Sequence, residues 1–66
     1  MQLQQGQHVE LRNEYTGSWA AGFEVVDVVE LSRGNRPIVE YRVRRSSDGS
    51  IIPALFPPRR VRPSTP

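Results

Sequence analysis

The chain has 66 residues, of which 36% are hydrophobic and 24% are charged, with a formal net charge of +2. A chain of this size has room for one small domain, which buries only about 60% of the surface that its unfolded form exposes. No stretch approaches the roughly 18 consecutive apolar residues of a membrane-spanning helix, and no charged leader precedes an apolar run. The composition therefore predicts a soluble globular chain without a secretory signal.

The cysteine and histidine content excludes several classes of site. The chain has no cysteine, which excludes disulfide scaffolds, zinc sites built from thiolates, and thiol catalysis. His8 is the single histidine, so there is no second imidazole for a metal pair. We predict neither a metal site nor a cofactor.

Charge is distributed unevenly along the chain, and all nine basic residues are arginine. Residues 1–32 carry one arginine and five acidic residues, a net charge of −4, whereas residues 33–66 carry eight arginines and two acidic residues, a net charge of +6. This asymmetry favours an acidic or polyanionic partner for the C-terminal half. The alternative is that acidic and basic strands lie side by side and neutralise each other.

The first half of the chain is predicted to contain two strands. The elements are, in order, a disordered start over 1–7, a half-buried strand over 8–12, a loop over 13–18 and a long strand over 19–31. The long strand is predicted from its density of β-branched residues. Its apolar residues occupy both parities, which a bulge near Gly22 or Asp27 would explain.

The second half is predicted to contain a hairpin and a short closing strand. The elements are a loop over 32–37, a strand over 38–45, a hairpin turn over 46–49, a strand over 50–56, a 3-10 turn over 59–61, a last strand around 61–62 and a tail over 64–66. The strand over 38–45 alternates most regularly, with Val39, Tyr41 and Val43 on one face. Pro53 has no N–H to donate to a sheet, so it predicts either an edge strand or a bulge.

Four or five short strands in so small a chain predict a sheet that closes on itself. An open sheet of this length would expose its edges and leave its core uncovered, whereas a strongly bent antiparallel barrel avoids both problems. The predicted fold class is therefore all-β, with a domain over residues 8–63. The predicted core consists of Val9, Leu11, Phe23, Val25, Val28, Val39, Tyr41, Val43, Ile52, Leu55 and Val61.

Three segments of the sequence resemble Tudor and Agenet domains, which belong to the class of SH3-like barrels. The segments are the run from Gly17 to Val28, similar to a G-x-W-x-x-A-x-V-V-x-V pattern, the strand Tyr41-Arg42-Val43 ahead of an Asp-Gly turn, and the closing Val61-Arg62-Pro63. The valine pair lies one residue farther from Trp19 than the family pattern has it. The resemblance implies a small SH3-like antiparallel barrel of Tudor type, with a 3-10 turn near the C-terminus, that acts in recognition.

The resemblance also implies a binding site made of aromatic side chains, which in Tudor-type domains form a cage for methylated lysine or arginine. The matching positions are Tyr15 and Trp19 in the first loop region and Tyr41 on its strand, with Glu24 as a nearby carboxylate. Methylated cations favour such sites because they are attracted to aromatic faces. Alternatively, Trp19 is a packing lid and Tyr41 a core residue. Tyr15 is the aromatic residue most expected to be exposed.

The arginines support an alternative function, the binding of DNA or RNA. If the third strand and the closing segment are neighbours, their guanidinium groups gather on one face and suit a nucleic-acid backbone. The residues of this predicted face are Arg42, Arg44, Arg45, Arg59 and Arg60, with Arg62 beside them. The competing interpretation is a solvated face whose arginines pair with Glu24, Glu30 and Glu40.

No sequence feature supports catalysis. The chain has no glycine-rich phosphate loop, no nucleophile elbow and no spaced set of metal ligands, and a barrel this small has no cleft that desolvates a carboxylate pair. We therefore predict a non-catalytic module that binds a protein or peptide ligand or, alternatively, nucleic acid, without a membrane association. The expected location is intracellular, in the cytoplasm or in the nucleoid or nucleus. The sequence does not predict an oligomeric state.

Overall fold

The fold is a single antiparallel sheet with one 3-10 turn, seen in a computed structural model that describes residues 3–64. The elements are β1 (His8–Arg12), β2 (Trp19–Arg33), β3 (Arg36–Arg45), β4 (Ile51–Phe56), the 3-10 turn (Pro58–Arg60) and β5 (Val61–Pro63). The prediction of an all-β antiparallel fold with a 3-10 turn near the C-terminus is confirmed. The turn begins one residue earlier than predicted, with Pro58 at a position where a missing N–H costs nothing.

The five strands follow the order β4-β3-β2-β1-β5 in the sheet. Strands β4 and β5 form its two edges, and no backbone pairing between them closes the sheet within residues 3–64, so the prediction of a sheet that closes on itself is not confirmed. The 3-10 turn connects these edges and packs against β3 and β5. The first strand thus lies between β2 and β5, and its paired backbone holds the two ends of the chain together.

Two irregularities bend the long strand β2. Opposite β1, Phe23 pairs with Val9 and Ala20 pairs with Leu11, so two residues of β2 lie opposite one residue of β1. One of these two is Gly22, which adopts φ +100°. Opposite β3, Val26 is the extra residue between two successive pairs. Both positions proposed for a bulge are confirmed, and the second one explains why the inward-facing residues change parity along the strand.

The core lies on one side of the sheet. The residues buried there are Leu3, Val9, Leu11, Val25, Tyr41, Val43, Phe56 and Val61, with Phe23, Val28, Val39 and Ile52 partly buried against them. The predicted core was wrong at Leu55, which pairs with Arg42 on the outward face of the sheet. Because side chains alternate along β4, its neighbour Phe56 is the residue that points inward.

Part of the segment that the sequence predicts to be disordered packs on the sheet. Leu3 is only 6% exposed, and its N–H donates to the Tyr41 hydroxyl at 3.2 Å. The N–H of Gly6 donates to the carbonyl of Val25 at 2.9 Å, and the N–H of Val25 donates to the carbonyl of Gln7 at 3.0 Å. The segment therefore contacts β3 at Leu3 and β2 at Gly6 and Gln7. Residues 1–2 lie outside the described residues, as do residues 65–66 of the predicted tail.

The turns that join β2, β3 and β4 are short. The predicted loop over 32–37 is wrong except at Gly34 and Asn35, because Arg33 already pairs with Arg36 and Gly34 adopts φ +59°. The predicted turn over 46–49 is confirmed, with Gly49 at φ +74°. Pro53 lies both on an edge strand and within a bulge of β4, so its missing N–H leaves no gap in the ladder. Within residues 3–64 there is no helix that is long and apolar enough to cross a membrane.

Replacing Leu3 tests the packing of the N-terminal segment. We expect Leu3→Ala to lower the free energy of unfolding by about 2–3 kcal/mol, because it leaves a cavity in the core. The matched control is Ile51→Ala, which removes an aliphatic side chain that is 56% exposed and should change stability by no more than about 0.5 kcal/mol. Urea unfolding measures both. Equal small effects would show that Leu3 is not part of the core.

The β3–β4 turn contains a carboxylate whose titration reports on its geometry. The Ser50 hydroxyl donates to Asp48 Oδ1 at 2.6 Å and the Ser50 N–H donates to the same oxygen at 2.9 Å. These hydrogen bonds, helped by the charge of Arg45, hold the pKa of Asp48 below its ordinary value of 3.8. A lowered folded-state pKa contributes stability above the unfolded-state pKa, and this contribution is lost as the pH falls through the folded-state value.

We expect Ser50→Ala to raise the pKa of Asp48 toward its ordinary value, because the variant loses the hydroxyl donor and keeps the N–H donor. A carboxyl-carbon NMR titration measures this change. Ser47→Ala, in the same turn, is the control and should leave the Asp48 titration as it is. An Asp48 pKa that is insensitive to Ser50→Ala would contradict the hydrogen-bonded turn.

Candidate functional site

The β1–β2 turn holds Tyr15 in solvent on a hydrogen-bonded backbone. Asn13 Oδ1 accepts from the N–H of Tyr15 at 2.8 Å and from that of Thr16 at 3.2 Å. The Asn13 carbonyl accepts from the N–H of Gly17 at 2.8 Å, and the Asn13 N–H donates to the carbonyl of Ser18 at 2.8 Å. Gly17 closes the turn at φ +73°. The Tyr15 side chain is 97% exposed on this frame, as the sequence predicts.

A groove lies between this turn and the 3-10 turn. We call it the arginine groove; it has a volume of about 220 Å³ and is lined by Arg12, Glu14, Arg59 and Arg60. Arg60 fixes its geometry, because its Nη2 donates to the carbonyl of Arg12 at 3.1 Å and its Nη1 lies 3.4 Å from Glu14 Oε1. The guanidinium also lies over the Phe56 ring at 5.0 Å. Arg60 therefore ties the β1–β2 turn to the 3-10 turn.

Trp19 is half-buried at the start of β2, where it lies opposite Arg12 of β1. The Arg62 guanidinium lies over its ring, with 4.2 Å between Cζ and the ring centroid. Arg62 Nε is also 2.7 Å from Glu10 Oε1. The Arg62 guanidinium thus covers one face of the indole, and that face is not open to a ligand.

The remaining residues of the predicted aromatic patch lie elsewhere. Tyr41 is 2% exposed, and its hydroxyl accepts from Leu3 at the edge of a cavity of about 240 Å³. Glu24 lies on the opposite face of the sheet, where both of its carboxylate oxygens are 3.2 Å from Arg44 Nη2. The structure therefore brings neither Tyr41 nor Glu24 to Tyr15.

The predicted arginine face is interrupted by acidic residues. Within residues 3–64, three arginines form ion pairs: Arg44 with Glu24, Arg60 with Glu14 and Arg62 with Glu10. Arg42 lies opposite Asp27 of β2 in the sheet. Arg45 lies at the β3–β4 turn and Arg59 in the 3-10 turn, on separate elements. Basic and acidic strands thus lie side by side, which was the alternative interpretation of the charge asymmetry. Of the arginine pairs predicted with Glu24, Glu30 and Glu40, only the pair with Glu24 is among these three.

The sequence did not identify the arginine groove, because two of its members, Arg12 and Glu14, belong to the acidic half of the chain. The only signal was that Arg12 is the single arginine of residues 1–32. A second groove, of about 380 Å³, follows the edge strand β4 beside Arg42. The part of the chain that the structure describes contains no group of three or more His, Asp or Glu side chains arranged to hold a metal ion.

Comparisons with protein-family models, with curated proteins and with solved structures find no match for this chain. The similarity to Tudor and Agenet domains therefore stays a prediction from the sequence.

Removing Arg62 tests whether it covers Trp19 in solution. We expect the fluorescence of Trp19, the single tryptophan, to be quenched more strongly by acrylamide in Arg62→Gln, because the variant uncovers the indole. Arg42→Gln is the matched control, since it removes an exposed arginine on another strand and should leave quenching at the wild-type level. Identical quenching in all three proteins would rule out the stacked arrangement.

Proposed function

We propose that the chain is a small SH3-like barrel of Tudor type and a non-catalytic module that binds a protein segment. The proposed binding surface, called the turn face below, consists of Tyr15 and the arginine groove. The barrel assignment is supported by the bent strand β2, by the pairing of β1 with both β2 and β5, and by the 3-10 turn that precedes β5. The observation that carries the binding proposal is the exposure of Tyr15.

A tyrosine that is 97% exposed has found no place in the core, although a tyrosine ring is among the largest apolar surfaces a side chain can bury. Four hydrogen bonds of Asn13 hold the turn that presents it: its side-chain oxygen accepts two, its carbonyl accepts one and its N–H donates one. Presenting a ring on an ordered frame reduces the conformational entropy that binding would otherwise cost. Aromatic side chains in this situation are typical anchors of protein interfaces.

A protein ligand fits the turn face better than a cage ligand does. A methylated cation is bound by several aromatic faces that converge. Here the Tyr41 ring is buried and one face of Trp19 is occupied by Arg62, which leaves Tyr15 as the open ring of the predicted patch. Methylated lysine or arginine peptides therefore form a separate arm of the experiment below.

The charge distribution also supports a protein segment over a nucleic acid. A nucleic-acid backbone needs a continuous row of uncompensated cations. Glu24, Glu14 and Glu10 each neutralise an arginine. On the predicted face the paired Arg44 lies between Arg42 and Arg45 along β3, and the paired Arg60 follows Arg59, so paired arginines interrupt the row that a phosphate chain would follow.

Selection of peptide ligands followed by substitution of Tyr15 tests the proposal. Random linear peptides displayed on phage are selected on the whole chain, and the Kd of the enriched peptides is measured by fluorescence polarisation. We expect Tyr15→Ala to weaken binding by roughly tenfold or more, as the loss of an anchoring aromatic does. Ile51→Ala is the matched control, because Ile51 is the other large apolar side chain found exposed in residues 3–64. It should bind as the wild type does.

Two further arms separate the competing functions. A trimethyllysine peptide is compared with its unmethylated form, and a single-stranded DNA or RNA oligonucleotide is titrated at low and high salt. The proposal is wrong if no peptide is enriched, or if Tyr15→Ala binds the enriched peptides as tightly as the wild type. Oligonucleotide binding that weakens steeply with salt, and that is lost in Arg42→Gln/Arg45→Gln, would favour the nucleic-acid function instead.

A further inference from the structure

We infer that the arginine groove receives a single carboxylate, the side chain of an acidic residue in the protein segment that binds the turn face. This inference rests on the proposed function and names the chemistry of the ligand. It is carried by two arginines at the groove that have no ion-pair partner among residues 3–64.

The groove has a fixed wall, formed by Arg60. Its guanidinium is held by the carbonyl of Arg12, by Glu14 and by the Phe56 ring, and 75% of its side-chain surface is covered, since 25% is exposed. Its Nε is buried and has no hydrogen-bond partner among the described residues. One hydrogen bond, one ion pair and one ring contact thus set the position of this guanidinium before any ligand arrives.

Arg12 and Arg59 are the residues available to an incoming anion. Both are exposed, and neither has an acidic side chain within ion-pair distance in residues 3–64. Arg12 Nη2 lies 3.5 Å from where a Cβ on Gly17 would be, so its guanidinium lies along the β1–β2 turn. A guanidinium presents a planar fork of donors that matches the two oxygens of a carboxylate.

Charge and size both favour one carboxylate. The groove carries three guanidinium groups and one carboxylate, Glu14, so its local charge is positive by two. Its volume of about 220 Å³ lies below the roughly 300 Å³ at which small-molecule pockets begin, and it suits one side chain. The net positive charge attracts an anion, and a carboxylate is the anionic group that the side chains of a protein segment carry at neutral pH.

A protein carboxylate is also favoured over a phosphate of nucleic acid. Arg62, the arginine of β5, is paired with Glu10, so the uncompensated positive charge of the groove does not continue along β5. A segment of protein can place one acidic side chain in the groove and an apolar one against Tyr15, which follows Glu14 directly in the chain. Nucleic acid would bring a row of phosphates to a surface that has room for one anion.

Two matched peptide pools test the inference. Both consist of short peptides of random apolar and small residues; one has a central glutamate and the other a central glutamine. Binding is followed by NMR titration of the whole chain, including the Nε–H signals of the arginines. We expect the glutamate pool to bind about tenfold or more tightly than the glutamine pool and to shift the Arg12 and Arg59 signals, as charge-assisted hydrogen bonds do.

The variant Arg12→Gln/Arg59→Gln should reduce the affinity for the glutamate pool to that of the glutamine pool. It keeps the Arg12 carbonyl that Arg60 contacts. The matched control is Arg33→Gln/Arg36→Gln, which loses the same charge from two exposed arginines at the β2–β3 turn and should retain the preference for glutamate.

The outcomes separate this inference from the proposed function. If both pools bind equally and Tyr15→Ala weakens both, the inference is wrong while the binding surface at Tyr15 stands. If the glutamate pool depends on Arg12 and Arg59 while Tyr15→Ala has no effect, the groove is supported and the role of Tyr15 is wrong. Equal losses in the two double variants, or no binding of either pool, would overturn the inference, as would a single-stranded oligonucleotide that displaces the glutamate pool from the groove.

Discussion

The fold depends on the change of parity within β2. A regular strand of 15 residues would turn the apolar side chains of one half into the core and those of the other half into solvent. The extra residue at Val26 reverses the alternation, so that Val25 on one side of it and Val28 on the other both face the core. The irregularity at Gly22 bends the strand again, and there the Ser46 N–H donates to the Gly22 carbonyl at 2.9 Å. Strand β2 can therefore pair with both β1 and β3 while its apolar side chains face one core.

This bend determines what comes together at the far end of the sheet. Because β1 lies between β2 and β5, the turn that follows β1 meets the 3-10 turn that precedes β5. Arg60 uses that proximity, since one guanidinium contacts the backbone of Arg12, the carboxylate of Glu14 and the ring of Phe56. An exposed ion pair contributes little to stability by itself. The ion pair between Arg60 and Glu14 instead helps to position the turn that carries Tyr15 and lines the arginine groove.

The same strand order decides how the uneven charge of the chain is expressed. Acidic residues of β1 and β2 lie beside arginines of β5 and β3, so Glu10 pairs with Arg62 and Glu24 pairs with Arg44. With the pair of Glu14 and Arg60, three of the eight arginines of residues 33–66 are thus paired with acidic residues of the first half. Among the arginines that lie in no ion pair within residues 3–64 is Arg59, which lines the arginine groove.

The sequence by itself determined the strands, the Asp-Gly turn before β4 and the exposure of Tyr15, because each depends on residues that are neighbours along the chain. The bulges in β2 were also predictable, since its valines occupy both parities. Tertiary structure alone decided that Leu3 packs in the core, that Phe56 rather than Leu55 faces inward, and that Arg12 of the acidic half shares a groove with Arg59. These features depend on strand register and on contacts across 38 to 48 residues, as between Leu3 and Tyr41 or Arg12 and Arg60. Local patterns carry no information about such contacts, because one residue of slippage turns a side chain to the other face of a sheet.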